Sequence, residues 1–286
     1  MSCNCGPQHY TETASGGLAA GGVSPNTSNR YTPSGGMSCG GTAILTTSLL
    51  YDEFNAVYHL DESGNGTADE YTNSVGIRHG RGGKGYLKYV PTQTPGLWYQ
   101  SQDLDGNDFI EFDNDNIPPD AAFTVSLWAK ITGLYLPRVW YSRGKENTDT
   151  AEGWSIQIGH NADNTPFVKV QVVGSSNWLT YEASGTALTS SCWYHVAAVW
   201  NPGSSLTLYI DGEAVDTTIV TETQLVPSTA RSYAGRLGQY FYTIGQLQEL
   251  RVSPVVRSAD WIDAEFSNLC DSAFYTIGIE EGASYG

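Results

Sequence analysis

The chain has 286 residues, with 14 Lys and Arg against 30 Asp and Glu, for a formal net charge of −16. That negative excess repels phosphate backbones and excludes nucleic acid as a partner. No apolar run is long enough to span a bilayer, and 40% apolar residues, 15% charged residues, 32 Gly and 18 Tyr describe a β-rich extracellular or surface protein rather than a helical cytosolic enzyme.

The opening MSCNCGPQHY has neither a basic n-region nor an apolar h-region, so no secretory signal is expected. Residues 1–48 are rich in Gly, Ser and Thr and nearly free of charge. They hold one frame twice. Tyr10-Thr11 leads to Ser15-Gly16-Gly17 and Gly21-Gly22, and Tyr31-Thr32 leads to Ser34-Gly35-Gly36 and Gly40-Gly41. A flexible linker has no need of a repeated frame. Paired glycines at fixed spacing fit close backbone approach, and such a segment adds readily to another subunit's sheet edge. Residues 1–48 are therefore expected to be an assembly arm. Gly36-Met37-Ser38-Cys39-Gly40 matches G-x-S-x-G only by chance, because a nucleophile elbow needs a strand before it and a helix after it.

From residue 49 onward the pattern is short alternating runs broken by turn residues. Tyr58, His59 and Leu60 belong to an opening strand, and Asp61 and Glu62 follow it. RGGKG and PTQTPG flank a short run from Tyr86 to Val90. Phe109, Ile110 and Phe112 form a strand with Asp103, Asp105, Asp108, Asp113 and Asp115 crowding its ends. These acids do not fit an EF-hand loop and are expected in turns. Residues 121–131 read as a buried strand with Phe123, Val125, Leu127 and Ala129 on one side. Runs around Trp140, Ile156, Val168 and Trp178 follow. Next comes LTSSCWYHVAAVWNPGSSLTLYIDGEAVD, residues 188–216, a three-strand meander with Asn201-Pro202-Gly203-Ser204 and Asp211-Gly212 at its corners.

Several of these runs resemble laminin-G-like, concanavalin A-type lectin domains. WYHVAAVW followed by LTLYIDGEAV is similar to that family's WxHVA strand, turn and YxDG strand. Residues 121–131 resemble its FTxSxWVK strand, and Gly245 to Ile262 resemble its closing strand and RSADWI turn. The resemblance covers about residues 49–280. It implies an all-β fold, a two-sheet antiparallel jelly-roll sandwich over residues 49–286 preceded by the Gly-rich arm. Core positions would include Phe123, Val125, Leu127, Trp128, Ile156, Ile158, Trp193, Val199, Leu206, Leu208, Ile210, Leu247 and Val252, with Trp128, Trp193 and Trp200 serving the core rather than sugar stacking.

The family's glucanases carry E-x-D-x-x-E or E-x-D-x-E on one strand, a string this chain lacks, and no zinc-protease or P-loop motif is present. A non-enzymatic role is expected: a decoration, fibre or filament subunit of a virus particle or similar extracellular assembly, displaying the sandwich outward. Its partners would be other subunits, through residues 1–48, and a cell-surface glycan. The alternatives are a secreted lectin-like module and a glycoside hydrolase with an unfamiliar site. Glycan-binding candidates are Trp140, Tyr141, Asn177, Trp178 and Tyr181. Related sandwiches hold calcium between the first and last strands. Asp61 and Glu249 are the candidates here, although Gln248 replaces the usual Asp. Among Cys3, Cys5, Cys39, Cys192 and Cys270, the last two are expected to bridge and pin the tail to the meander.

Overall fold

The computed structural model describes residues 53–113, 121–132, 138–143, 154–160, 166–173, 180–226, 231–237 and 241–270. The paired glycines of the arm, Cys3, Cys5, Cys39, Asn177 and Trp178 lie outside the described residues.

Two antiparallel sheets pack face to face. The first runs β13 (Glu213–Ile219), β12 (Ser205–Ile210), β11 (Trp193–Asn201), β6 (Phe123–Ile131), β15 (Ile244–Ser253), β4 (Gln100–Asp105) and β3 (Thr92–Pro95), with β1 (Ala56–Tyr58) also paired to β15. The second runs β10 (Thr180–Ala187), β9 (Pro166–Val173), β8 (Trp154–His160), β7 (Arg138–Arg143), β14 (Ser232–Ala234), β5 (Ile110–Phe112) and β2 (Gly80–Gly82). The expected meander is β11–β12–β13. Its second corner takes Asp211 to φ 51 and Gly212 to φ 84, the two positive angles of a tight hairpin turn.

Period-two alternation sorts the side chains between two hydrophobic layers. Val196, Ala198 and Trp200 of β11 join Phe123, Val125 and Leu127 of β6 and Val168, Val170 and Val172 of β9 in the space between the sheets. The opposite parity is apolar too. Trp128, Trp193 and Phe266 form one cluster, and Ala197, Val199, Tyr209 and Ile262 another. These lie beneath α1 (Ala259–Cys270), which covers the outer face of the first sheet. The closing segment is thus a 12-residue helix rather than the short turn expected. Ser258 starts it, its Oγ accepting the Trp261 N–H at 3.2 Å. Ile262 and Phe266 recur one turn apart on its buried face. Of the expected core positions, Trp128, Trp193 and Val199 serve this second layer, and Trp200, fully buried, lies between the sheets. The side chain of Ile158 lies outside the described set.

Candidate functional site

Two polar constellations stand out, one buried and one open. The buried one runs along the outer face of the first sheet, under α1. A register shift in β15 between Gln248 and Arg251 puts Glu249 at φ 53 and hands its backbone N–H to the His59 carbonyl at 3.2 Å. Its carboxylate then bridges His59 Nδ1 at 2.8 Å and Arg251 Nη2 at 3.0 Å. Arg251 Nη1 reaches Glu265 Oε1 at 2.9 Å, which also accepts from Ser126 Oγ at 2.8 Å. His195 Nε2 stands 3.4 Å from Glu265 Oε2, close enough to pair but too poorly aligned to count as a hydrogen bond. Burial pushes the Glu265 carboxyl up, but Arg251, His195 and Ser126 outweigh it and hold the group below the usual carboxylate range. Glu249 is held low in the same way, against its burial, by His59 and Arg251. The hydrogen bond to Glu249 raises His59. This chain of charges clamps α1 to the sheet.

The pairing of the opening and closing strands, on which the calcium expectation rested, is present: Tyr58 stands opposite Leu250. The carboxylate is already committed, however. Both Glu249 oxygens face nitrogen partners, and Asp61 does not join them. No group of three or more His, Cys, Asp or Glu side chains arranged for a metal ion occurs among the described residues. Of the acids around β5, two make turn bonds: Asp105 Oδ1 accepts from the Asn107 N–H at 2.9 Å and Asp108 Oδ2 from the Asp105 N–H at 3.2 Å; Asp103 lies within β4 rather than in a turn, and Asp115 falls outside the described residues. Gln248 acts as a clamp, its buried Oε1 accepting from the Leu97 N–H at 3.0 Å and its Nε2 donating to the Trp98 carbonyl.

The glycan candidates fare differently from one another. Trp140 and Tyr141 are buried between the sheets, so neither can stack on a sugar. The reason is a register shift in β7 between Val139 and Tyr141, which breaks the alternation and lets two consecutive aromatics reach the core. Tyr181 is half-buried at the core edge, with its hydroxyl 3.0 Å from Thr221 Oγ1.

The open constellation is a cleft of about 380 Å³ on the outer face of the second sheet near its β2 edge. Arg81 of β2 stands opposite Glu111 of β5, which stands opposite Tyr233 of β14. All three therefore share one face, while Ile110 and Phe112 point into the core. Glu111, 4% exposed, forms the floor. It accepts from Tyr233 Oη at 3.3 Å and pairs with Arg231 at 3.2 Å and Lys84 at 3.9 Å. Arg231 also reaches Asp113 at 3.2 Å.

The RGGKG stretch forms the wall. Gly83, Lys84 and Gly85 all take positive φ, 56, 54 and 85, curling the backbone so that Lys84 overhangs Glu111. A β-carbon on Gly83 would lie 2.8 Å from the Tyr89 carbonyl carbon, and one on Gly85 would collide with the Arg81 guanidinium. Arg81 Nε donates to the Gly66 carbonyl at 2.9 Å. His79 and Tyr86, 63% exposed, complete the lining with Asp69. Sequence reasoning marked RGGKG only as a turn. The glycines flanking Lys84 were the one available signal, and Glu111 and Arg231 carried none.

Glu111 and Asp113, on either side of buried Phe112, place two carboxylates in this cleft. Glycoside hydrolysis needs such a pair, with one member free to act as acid and the other as base or nucleophile. Here both are engaged by Arg231.

This chain belongs to the concanavalin A-like lectin/glucanases superfamily, whose laminin-G-type model matches residues 104–263. Comparison with curated proteins gives no match. Among solved structures, domain 4 of AbnA, an extracellular GH43 arabinanase from Geobacillus stearothermophilus in complex with arabinotriose, is 17% identical. The match covers 76% of this chain and 98% of that one, with a TM-score of 0.55. The binding domain of Paraclostridial Mosquitocidal Protein 1 is 15% identical over 73% of this chain and 52% of that one, with a TM-score of 0.55. The botulinum neurotoxin serotype D ligand binding domain, in complex with N-acetylneuraminic acid, is 14% identical over 76% and 51%, with a TM-score of 0.57. The chain thus spans about half the length of the toxin domains, and at these identities the likeness is one of fold.

Proposed function

We infer that the chain is a non-enzymatic surface protein of a virus particle or similar extracellular assembly, with residues 1–48 anchoring it and the sandwich binding a glycan. The observation that carries the glycan reading is the cleft between the RGGKG wall and the Glu111 floor. Exposed Tyr86 offers an aromatic face, and rigidly held charged groups offer directed hydrogen bonds, the combination that polyhydroxylated ligands need. The AbnA domain, a neighbour in fold, is in complex with arabinotriose, which favours a saccharide over other ligands. Against hydrolysis stands the engagement of both cleft carboxylates by one guanidinium. Calcium binding by Asp61 and Glu249 is not part of this reading.

A glycan array probed with the full chain tests it: binding lost in a Glu111→Gln, Tyr86→Ala variant supports the assignment, and an array without hits overturns it. Deleting residues 1–48 should leave a folded, soluble sandwich that no longer joins its assembly, and normal incorporation would refute the anchoring role. Release of reducing sugar from any array-positive glycan would instead favour the hydrolase.

A further inference from the structure

We propose that the Asn65–Gly66 linkage is a self-modifying site, at which the chain converts its own asparagine to a cyclic imide and then to aspartate or isoaspartate. The proposal stands apart from the glycan reading. Asn65-Gly66 is the one Asn-Gly pair in the sequence, and the side chains around it are arranged as an acyl-transfer site requires.

The nucleophile is the Gly66 backbone nitrogen. Gly66 takes φ 70 and has no β-carbon to hinder the approach. Its N–H donates to Glu70 Oε2 at 2.8 Å, so a carboxylate is in place to take the proton. The other oxygen of Glu70 accepts the Asn65 N–H, which fixes the carboxylate against this peptide. The electrophile is Asn65 Cγ. Its Oδ1 accepts the Thr67 N–H at 2.9 Å and the Thr67 hydroxyl at 2.6 Å. Those two donors stabilise the negative charge that grows on Oδ1 as the carbonyl is attacked. They also fold the Asn65 side chain back over the peptide that follows it. Gly66 is held from its other end, where its carbonyl accepts from Arg81 Nε at 2.9 Å. Asn65 itself is exposed, so water reaches the product.

The reaction balances within the chain and water. Gly66 N bonds to Asn65 Cγ while its proton passes to Glu70. Glu70 returns that proton to the side-chain nitrogen, the Cγ–N bond breaks, and ammonia leaves the imide behind. Water then opens the imide at either carbonyl. Both products add a negative charge, and the isoaspartyl form lengthens the main chain beside the carbonyl that holds Arg81. Asn73 is a control within the same fold. Its Oδ1 also accepts two N–H groups, from Val57 at 3.0 Å and Val75 at 3.1 Å. The next N–H, that of Ser74, donates at 2.9 Å to the Val57 carbonyl, which is no base. Asn73 is buried as well, and it should remain an amide.

The experiment incubates the full folded chain at neutral pH and follows residue 65 by peptide mapping and isoaspartyl methyltransferase labelling. The same chain unfolded in guanidinium supplies the rate of the bare sequence. The folded chain should convert Asn65 about tenfold or more faster, since a positioned base contributes at least that much. Glu70→Gln should remove the advantage. Thr67→Val, which loses the hydroxyl donor, should slow the folded chain about tenfold, and Thr67→Ser should keep the parent rate. Each variant is read beside its melting temperature, and if Glu70→Gln lowers it the two Thr67 variants decide. A folded rate no higher than the unfolded one would overturn the site. So would a stable Glu70→Gln chain that reacts like the parent, or Thr67→Val and Thr67→Ser chains that react alike.

Discussion

Replacing Glu265 by alanine is expected to loosen α1 from the sheet at a cost that can be worked from its contacts. The carboxylate is 9% exposed as a residue and holds Arg251, Ser126 and His195. Removing it takes one of two carboxylates from a part-buried guanidinium and leaves the buried Ser126 and His195 side chains without theirs. Breaking a buried ion pair costs about 3–5 kcal/mol. The lower end applies here because Arg251 keeps Glu249 at 3.0 Å. About 3 kcal/mol in a domain of this size lowers the melting temperature by roughly 6–12 °C. A Glu265→Ala, Arg251→Met cycle followed by calorimetry isolates the pair, with an expected coupling of about 1–3 kcal/mol. The pH dependence supplies an independent check. Glu265 is held below its ordinary pKa, so its contribution is complete above the unfolded value and is lost as pH falls through the folded one. The variant should therefore show a flatter acid limb than the parent chain. A melting temperature within about 2 °C of the parent, or a coupling under about 0.5 kcal/mol, would refute the clamp.

Burial pushes Glu62 up to about 7, with its Oε1 receiving the Thr72 N–H at 2.8 Å and its Oε2 buried without a partner. A raised carboxyl costs stability as pH climbs from the unfolded value to the folded one, so Glu62→Gln should gain on the order of 2 kcal/mol at pH 8 and little at pH 4, read by urea melts at both. Cys192 and Cys270 are both disulfide-bonded, and Cys270 packs against the Trp128, Trp193 and Phe266 cluster. Non-reducing peptide mapping should find the two joined, and Cys192→Ser should lower stability by about 2–4 kcal/mol, whereas a variant as stable as the parent would show the bridge to be idle. Gly85→Ala forces a side chain onto φ 85 and against Arg81, so the melt should lose about 1–3 kcal/mol and cleft binding should weaken together. An unchanged titration would mean that Arg81 does not shape the site.

Local pattern carried much of this protein. Alternation with turn dipeptides at Asn201 to Ser204 and Asp211-Gly212 marks the meander without reference to anything distant, because hairpin geometry is set by the turn itself. The same holds for the all-β class and for burial of Trp128, Trp193 and Trp200. What alternation cannot carry is which layer a face meets, or where its period breaks. Trp193 and Trp200 differ in parity and lie on opposite faces of one sheet, a distinction that required α1 to be seen covering one of them. Trp140 and Tyr141 looked like candidates because they lie outside the strongest core signatures; the irregularity in β7 turned both inward. The cleft was least legible of all. His79, Arg81 and Lys84 meet Glu111 and Arg231 only through the register of β2, β5 and β14, three short strands far apart in the chain. Registers of that kind are decided by packing against a common core, so the residues that form the site became neighbours only when the sheets closed.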